Sequence, residues 1–380
     1  MSAAPSKSKP LRILHVVFSL DPGGMENGLA NLTQHFDPDE FDTHVCCLER
    51  EGSFASRFPK PEQIYTLQKS NGFSIRSLFG LIKLIWRIQP HVIHSHNLGT
   101  LIYASTATAQ GRWKPILHGE HGQLTGEHSE PRRVRQRMKY FPHCRALHTV
   151  SHSLREHFSE FGFAPADFRV IVNGVDTERF QPGDKKAARR ELGLQEDAPT
   201  IGMLGRFGPY KRHDLLLKAF EEATARVPDA QLLIVGGGGP EEDNVKRQAS
   251  ESRVADRICL TGFQDDPRRH YHAMDLLVIP SVNEGLSNAL LEAMASGVPA
   301  LCNAAACGSK EVISPGEDGF ITDISTSSGL AKDLADAMSD PARLVDMGRT
   351  ARKNIEQHFS IEKMVSEYQR IYRELAHGEA

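Results

Sequence analysis

The chain has 380 residues, of which 39% are hydrophobic and 24% are charged, so it can build folded cores and is neither disordered nor fibrous. That length predicts two or three domains, since a domain usually contains about 100–200 residues. With 45 Lys and Arg against 48 Asp and Glu, the net charge is −3, which argues against a general nucleic-acid binder and means that any anion must be bound by a local cluster.

Six cysteines, none spaced as C-x-x-C, indicate neither a disulfide scaffold nor zinc or thioredoxin chemistry. A reducing cytoplasm is the simplest interpretation. The apolar residues 13–20 run straight into a turn, which predicts a buried strand and not a signal peptide. The apolar stretch Leu78–Ile88 carries Lys83 and Arg87 and is too short to span a bilayer. We therefore expect a cytoplasmic protein without a transmembrane segment.

From the N-terminus onward, short apolar runs alternate with longer helical patterns, which is typical of β-α-β units on a parallel sheet. The strands predicted in the first half are Ile13–Ser19, Val45–Leu48, Val92–His94, Ile116–His118, Leu147–Val150 and Phe168–Val172. The helices predicted between them are Glu26–His35, Ser74–Ile88, Leu101–Gln110, Arg133–Phe141 and Ser153–Phe161.

A polar segment, Asp176–Ala198, then separates a second series of the same kind, and its start is the predicted linker. The strands of this series are Thr200–Leu204, Leu232–Val235, Ile258–Thr261, Leu276–Ile279, Pro299–Cys302 and Gly319–Thr322, and its helices include Leu215–Ala225, Glu241–Ser252 and Ala289–Ala295. An amphipathic helix, Ile361–Leu375, closes the chain. We predict two doubly wound α/β domains facing each other, with a ligand cleft at the carboxyl ends of their strands.

The loop and helix after strand Leu276–Ile279 carry two carboxylates. Glu284 precedes the helix, where it can accept hydrogen bonds from hydroxyls, and Glu292 lies about two turns into it. Gly285 lets a ligand approach the main chain, and amides at a helix N-terminus favour anions. These groups fit a sugar and a ribose joined by phosphates. The alternative is a capped helix in which Glu292 is a solvated residue.

Basic residues follow strand Thr200–Leu204. Arg206 offers a planar fork of donors to phosphate oxygens and Lys211 offers a compact charge, so the two would neutralise a diphosphate without a metal. A solvated basic turn is the alternative. The glycine run Gly236–Gly239 after the next strand is not G-x-G-x-x-G and has no well-placed acidic partner for a ribose, so a NAD site has little support.

In the first half, Gly23 and Gly24 join the first strand to its helix and permit close approach of a phosphate or sugar, although a simple turn explains them equally well. Two histidine pairs follow further strands: His94 with His96, and His118 with His121. Paired histidines suggest a metal site. No cysteine or carboxylate spacing completes one, so we interpret these histidines as polar residues that line the cleft.

A set of short motifs follows in order along nearly the whole chain. They are Gly23–Glu26, His-Gly within residues 115–122, Val150-Ser151, Asn173–Asp176 through Phe180 and Pro182, Gly205-Arg206 with Lys211, Gly236–Gly239, Glu284–Glu292, and a closing helix with Phe359, Tyr368 and Tyr372. Together they resemble the retaining nucleotide-sugar glycosyltransferases of family four, which have the GT-B fold of two Rossmann-like domains. The string His118–Gly122 is similar to a subgroup linked to bacterial exopolysaccharide synthesis.

The resemblance implies a role for each matching residue. Arg206 and Lys211 would bind the donor diphosphate, Glu284 the sugar hydroxyls, and Glu292 the ribose. His121 would lie near the donor sugar, and it fits better than His118 because of its place after Pro115. The predicted catalytic residues are thus Glu284, Arg206, Lys211 and His121, and the predicted donor-binding residues are Gly23, Gly24, Gly285, Leu286, Ser287, Glu292 and Gly237.

The resemblance also implies an acceptor-side domain at residues 10–177, a nucleotide-sugar-binding domain at residues 178–359, and a helix at residues 360–376 that crosses back to complete the first. The chain departs from the family at Cys307-Gly308, where Gly-Gly is common ahead of the position of Glu311. That loop should lie by the donor sugar, so the identity of the sugar stays open.

The implied activity is metal-independent, cofactor-free transfer of a sugar from a nucleotide diphosphate, with uridine as the expected base, to an acceptor hydroxyl with retention. A nucleotide-sugar epimerase or hydrolase, and a non-catalytic binding module, are the alternatives. The expected partners are the donor and a sugar or lipid-linked acceptor in polysaccharide or glycoconjugate synthesis, and not nucleic acid. The basic segment Arg132–Lys139 predicts a helix face that could approach an anionic bilayer, with a solvated helix as the alternative.

Overall fold

A computed structural model describes residues 9–306 and 308–378, and the chain divides into two compact units. The first unit combines the chain up to Asn173 with the segment from Ile361 onward, and the second runs from Gly174 to Ser360. The break therefore falls a few residues before position 177. The reason is local: the Val175 amide donates to the carbonyl of Phe359 at 2.9 Å, so this segment pairs within the second unit.

The first unit contains a parallel sheet with the order β3-β2-β1-β4-β5-β6-β7 in the part of the chain that is described. Its strands are β1 (Leu11–Val17), β2 (Phe41–Cys47), β3 (Ile64–Thr66), β4 (Val92–His96), β5 (Ile116–Glu120), β6 (Ala146–Thr149) and β7 (Phe168–Val170). The sequence analysis missed β3, because three half-buried residues leave no apolar run. The helices that follow its strands are α1 (Gly24–Gln34), α2 (Ile75–Ile88), α3 (Leu98–Ala107), α4 (Pro131–Tyr140) and α5 (His152–Ser159).

The second unit has a parallel sheet with the order β10-β9-β8-β11-β12-β13 over its described residues. Its strands are β8 (Thr200–Leu204), β9 (Gln231–Val235), β10 (Ile258–Leu260), β11 (Leu276–Ile279), β12 (Ala300–Asn303) and β13 (Gly319–Thr322). Its helices are α6 (Lys185–Glu191), α7 (His213–Ala223), α8 (Glu242–Glu251), α9 (Arg268–Ala273), α10 (Asn288–Ala295), α11 (Ser309–Val312), α12 (Ser327–Met338) and α13 (Pro341–His358). Strand order reverses between β8 and β11, which is where doubly wound sheets place ligands.

The last helix, α14 (Ile361–His377), belongs to the first unit. Its apolar residues recur every three or four positions, so they form one stripe, and Tyr368, Ile371 and Tyr372 are buried. This stripe packs with Ile13 and Leu117 of the sheet in one core cluster. The helix therefore completes the core of the first unit. No described helix is long and apolar enough to cross a membrane.

Candidate active site

Lys211 and Glu284 contact each other, with the lysine ammonium donating to the Glu284 carboxylate. Lys211 follows β8 and Glu284 follows β11, and these strands are neighbours in the sheet, so their carboxyl ends bring the two loops together. A main-chain bond from the amide of Val282 to the carbonyl of Tyr210, 3.0 Å long, joins the loops. The two charged side chains are only 15% and 14% exposed. The structure thus unites two residues that sequence reasoning had placed in separate motifs.

The charges at this point are fixed by their surroundings. Burial opposes the positive charge of Lys211, but attraction to Glu284 outweighs it and raises the pKa of Lys211, so the ammonium persists at neutral pH. Arg206 is exposed, and its guanidinium has no hydrogen-bond or ion-pair partner among residues 9–306 and 308–378. Two cations therefore follow strand β8: Lys211, whose charge is paired with Glu284, and Arg206, whose charge has no partner in the described structure. This arrangement suits an anionic ligand.

The glycine run after β9 packs main chain against main chain on the loop after β8. A Cβ added to Gly236 would lie 1.9 Å from the carbonyl oxygen of Gly205, so only glycine fits there. The amide of Phe207 donates to the carbonyl of Gly238 at 2.9 Å, which locks the two loops together. A Cβ on Gly237 would meet nothing closer than 3.4 Å, so packing alone does not demand that glycine. The run therefore supports the position of Arg206.

Glu292 is buried, with 7% of its surface exposed, so the interpretation of it as a solvated residue is wrong. The hydroxyl of Tyr271 donates to Glu292 Oε2 at 2.8 Å. Burial, together with the charge of Glu292, raises the pKa of Tyr271 well above its usual value, so the phenol stays a donor. Sequence reasoning missed Tyr271, because an aromatic residue in a short helix reads as core. The Tyr271 hydroxyl therefore holds the carboxylate of Glu292 in a fixed position, as a ribose-binding site requires.

The segment between Glu284 and α10 is buried at Gly285, Leu286 and Ser287. Ser287 occupies the N-cap position of α10, but its side chain makes no capping hydrogen bond there. A Cβ on Gly308 would lie 2.2 Å from the carbonyl oxygen of Gly285. The end of the connection between β12 and α11 therefore packs closely against this segment. Cys307, the departure noted in the sequence, lies outside the described residues.

In the first unit, Gly23 ends the turn between β1 and α1 as the N-cap residue, and Gly24 begins the helix. A Cβ on Gly23 would lie 2.3 Å from the Glu26 carboxylate, whereas a Cβ on Gly24 would meet nothing within 4 Å. Gly24 is exposed at the first residue of α1, where helix amides begin. Main-chain atoms of this turn can therefore be approached closely, as anion binding at a helix N-terminus requires.

His121 ends a chain of three imidazoles in the first unit. His15 Nδ1 lies 3.1 Å from His96 Nε2, and His96 Nδ1 lies 3.0 Å from His121 Nε2. A neutral imidazole has one donor and one acceptor nitrogen, so the protons along this chain all point the same way. Because Nε2 of His121 is hydrogen-bonded to His96, Nδ1 of His121 is the ring nitrogen that can bind a ligand. A Cβ on Gly119 would lie 2.9 Å from His121 Nε2, so glycine makes room for the ring.

The same side of the sheet contains more histidine than the sequence pattern indicated. His94 Nε2 lies 2.9 Å from His148 Nε2, and His94 Nδ1 lies 2.8 Å from the hydroxyl of Tyr372 in α14. Burial lowers the pKa of His15 to about 3 and that of His121 to about 4, and it also lowers the pKa values of His94, His96 and His148. These five imidazoles are therefore neutral at physiological pH.

Neutral imidazole is the form that binds metals, and three of these rings are close enough to be considered. Ring nitrogens of His15, His94 and His96 lie within 4.8 Å of one another, and this is the one such group of three or more ligands in the chain as described. These residues already make the ring-to-ring hydrogen bonds given above. His15 Nε2 is the exception, since it is buried and has no hydrogen-bond partner in the described structure.

Arg137 does not belong to a basic helix face, which corrects the prediction for residues 132–139. It is 2% exposed, and its Nε donates to Glu120 Oε1 at 2.8 Å. Burial opposes the charge of Glu120, but the hydrogen bond from His118 and the Arg137 guanidinium lower its pKa to about 2. His118 therefore belongs to this buried network, in which its two ring nitrogens contact Ser95 and Glu120.

Two family models together match most of the chain. "Glycosyltransferase Family 4" matches residues 22–179, and "Glycosyl transferases group 1" matches residues 184–354. A GDP-mannose-dependent monoacylated α-(1-6)-phosphatidylinositol monomannoside mannosyltransferase of Corynebacterium glutamicum is 32% identical over 276 residues, which cover 69% of this chain and 71% of the relative. The chain belongs to glycosyltransferase family 4.

Further comparisons place this glycosyltransferase in its fold class. An N-acetyl-α-D-glucosaminyl L-malate synthase of Bacillus anthracis is 30% identical over 223 residues, which span 59% of this chain and 58% of the relative. The Anabaena protein HepE, solved with UDP and glucose, superimposes with a TM-score of 0.83 at 20% identity over 95% of this chain and 99% of its own. The two parallel-sheet units are those of the GT-B fold, which confirms the predicted fold class.

Proposed function

We propose that this glycosyltransferase moves a sugar from a nucleotide diphosphate to an acceptor hydroxyl with retention of the anomeric configuration. The observation that carries the proposal is the contact between Lys211 and Glu284, because it puts a cation for the leaving diphosphate and an acceptor for sugar hydroxyls side by side in a family 4 chain. Arg206, exposed and unpaired in the described structure, supplies the second cation.

In the proposed reaction the bond between the anomeric carbon and the diphosphate oxygen breaks, and the acceptor oxygen forms its bond on the same face of the sugar. The acceptor proton passes to the departing diphosphate oxygen, so atoms and charge balance. Arg206 and Lys211 stabilise the negative charge that develops on the diphosphate, without a metal or cofactor. Glu284 accepts hydrogen bonds from sugar hydroxyls, and Glu292, positioned by Tyr271, accepts those of the ribose.

We further propose a UDP-sugar as donor and a lipid-linked or glycan acceptor, in glycoconjugate or polysaccharide synthesis at the cytoplasmic face of a membrane. HepE was solved with UDP and glucose, which supports uridine. The relative from Corynebacterium glutamicum is named for GDP-mannose and a phosphatidylinositol mannoside, which supports a lipid acceptor and makes guanosine the competing base.

The test is a panel of UDP- and GDP-sugars, first by thermal shift and then by turnover. A donor that binds only the folded state raises the melting temperature by mass action. We expect transfer of label from one UDP-sugar to an added acceptor, with an α-linked product from an α-linked donor by NMR. Donor consumption without acceptor would instead indicate a hydrolase or epimerase, inversion would overturn the mechanism, and binding without turnover of any donor would indicate a binding module.

A further inference from the structure

Helix α2 has apolar residues on two faces, and the core uses only one of them. Leu81, Leu84 and Ile85 are buried in the first unit. On another side of the helix, Ile75, Phe79 and Trp86 are 64%, 65% and 64% exposed. At about 100° per residue these three fall within a sector of roughly 40°, so they form one continuous exposed stripe.

Neighbouring segments extend this stripe. Trp113, 57% exposed, lies edge-on to Trp86 with 6.4 Å between the ring centroids. Phe73 is 55% exposed, and its ring stacks on that of Tyr103 at 4.9 Å, which holds it in place. We call Phe73, Ile75, Phe79, Trp86 and Trp113 the α2 face. A contiguous group of large exposed apolar side chains marks an interaction site.

The sequence segment that contains the α2 face carries charged residues of a single sign, although one of them, Lys69, pairs with Glu49 outside it. No Asp or Glu occurs from residue 63 to residue 119, whereas the segment contains six basic residues: Lys69, Arg76, Lys83, Arg87, Arg112 and Lys114. Arg76, Lys83 and Arg112 are exposed and make no ion pair with the described residues. Arg76 and Lys83 lie along the edge of the apolar stripe by helical spacing. In a chain whose net charge is −3, this surface is a local positive exception.

We propose that the α2 face docks on the surface of an anionic bilayer, with α2 lying in the plane of the interface. Exposed tryptophan and phenylalanine rings insert at the level of the headgroups, and lysine and arginine beside them bind anionic lipid phosphates. A second copy of this chain is a poorer occupant, because a symmetric contact would bring the same unpaired cations together.

This inference deepens the proposed function, since it gives the enzyme a route to a lipid-linked acceptor, but its test does not depend on transfer. The chain has only two tryptophans, Trp86 and Trp113, and both lie on the α2 face. Intrinsic fluorescence therefore reports on the proposed contact. We expect a blue shift with phosphatidylglycerol–phosphatidylcholine vesicles, and quenching by brominated lipid, but neither effect with phosphatidylcholine alone.

Vesicle co-sedimentation of variants locates the surface. The double variant F79S/W86S should lower binding by about 10-fold or more, because it removes two apolar anchors, and K83E/R87E should abolish the salt-sensitive part. The matched variant R132E/R135E, on the exposed side of α4, should bind within about twofold of the parent. Undiminished binding by folded F79S/W86S, or a loss confined to R132E/R135E, overturns the proposal. A dimer in sedimentation equilibrium that F79S/W86S disrupts also overturns it.

The same variants are assayed for transfer to a soluble acceptor. If the protein binds vesicles but has no transferase activity, the proposed function is refuted and the proposed docking of the α2 face is not. If it transfers sugar but does not bind vesicles, only the proposed docking is refuted.

Discussion

Lys211 donates a hydrogen bond to the carboxylate of Glu284, so each of these two predicted catalytic residues is the charged partner of the other. Both side chains are largely buried. Removal of either partner therefore leaves an uncompensated charge, and that effect must be separated from any effect on a ligand. The pairing also fixes the direction in which the Lys211 ammonium points, and the proposed mechanism depends on such positioning of a cation for the departing diphosphate.

Glu284→Gln should lower turnover by about 10–100-fold, because charge-assisted hydrogen bonds to the sugar contribute about 1.5–3 kcal/mol and tighten as the ring flattens in the transition state. Steady-state kinetics with the cognate donor measure this change. Glutamine keeps the size and one acceptor oxygen, so the fold should remain.

Glu317→Gln is the matched control, since Glu317 is an exposed carboxylate of the same unit, and its kinetics should equal those of the parent. Parental turnover in a Glu284→Gln protein with a normal melting curve would remove Glu284 from the mechanism.

Tyr271→Phe should weaken donor binding and leave turnover nearly unchanged. The variant removes the hydroxyl that donates to Glu292 at 2.8 Å, and one such bond to a charged group is worth about 1.5–3 kcal/mol, or roughly a 10–100-fold rise in KM. The ribose does not change during the reaction, so the loss falls on binding. Tyr65→Phe, which removes a hydroxyl 3.4 Å from His44 in the first unit, is the control. A fall in kcat with constant KM would contradict the ribose assignment.

The alternation of apolar runs and helical patterns was enough to predict the described strands of both sheets except β3. Thr200–Leu204 and Leu276–Ile279 have the predicted bounds, because a strand buried on both faces reads as a continuous apolar run. The half-buried strand Gly319–Thr322 also has the predicted bounds. Two first-unit strands end two residues later than predicted, at His96 and Glu120, because buried polar residues end the apolar run before the strand ends.

Contacts between distant residues could not be predicted in this way. Glu292 was expected either to bind ribose or to be solvated, and its partner Tyr271 lies in a short helix whose register no local pattern fixes. Arg137 was counted with its exposed neighbours, because only the fold brings it to Glu120. The His15–His96–His121 chain needs strands β1, β4 and β5 side by side, which depends on sheet order.

The free energy of unfolding of the first unit should fall as pH falls from about 6.5 to about 4. Unfolded histidine binds a proton near pH 6.5, whereas burial lowers the pKa of His15 to about 3 and that of His121 to about 4. Between these values the unfolded state binds more protons, so acid favours it, at about 2 kcal/mol for each such histidine at pH 5. Urea unfolding followed by tryptophan fluorescence measures this, because both tryptophans belong to this unit.

His15→Gln should reduce the difference in stability between pH 7.5 and pH 5, because glutamine does not titrate. His128→Gln removes an exposed histidine of the same unit and should reproduce the parental difference. If the stability of the parent were constant over this range, the buried histidines would have to be protonated in the folded state.

Transferase activity should survive excess EDTA followed by exhaustive dialysis. The positive charge that stabilises the departing diphosphate comes in our mechanism from Arg206 and Lys211, and the raised pKa of Lys211 keeps that charge through the neutral range. Lys211→Met should therefore lower turnover by about 10²-fold or more, and added Mg²⁺ should not rescue it. The measurement is initial rate against free metal concentration for both proteins.

The metal content of the purified protein is a second test of metal dependence, because three buried histidines lie close enough together to be considered as ligands. If His15, His94 and His96 held Zn²⁺, the purified protein would contain about one equivalent by elemental analysis, and His15→Gln would lose it. We expect no stoichiometric metal, because five of the six nitrogens of these rings already pair with His121, His148 and Tyr372 or with each other, and only His15 Nε2 has no partner in the described structure. Activity lost with EDTA and restored by Mg²⁺ or Mn²⁺ would contradict the two-cation mechanism. If removal of zinc lowered the stability of the first unit but activity were intact after refolding, the cluster of His15, His94 and His96 would hold a structural metal. Arg206 and Lys211 would then keep their proposed roles.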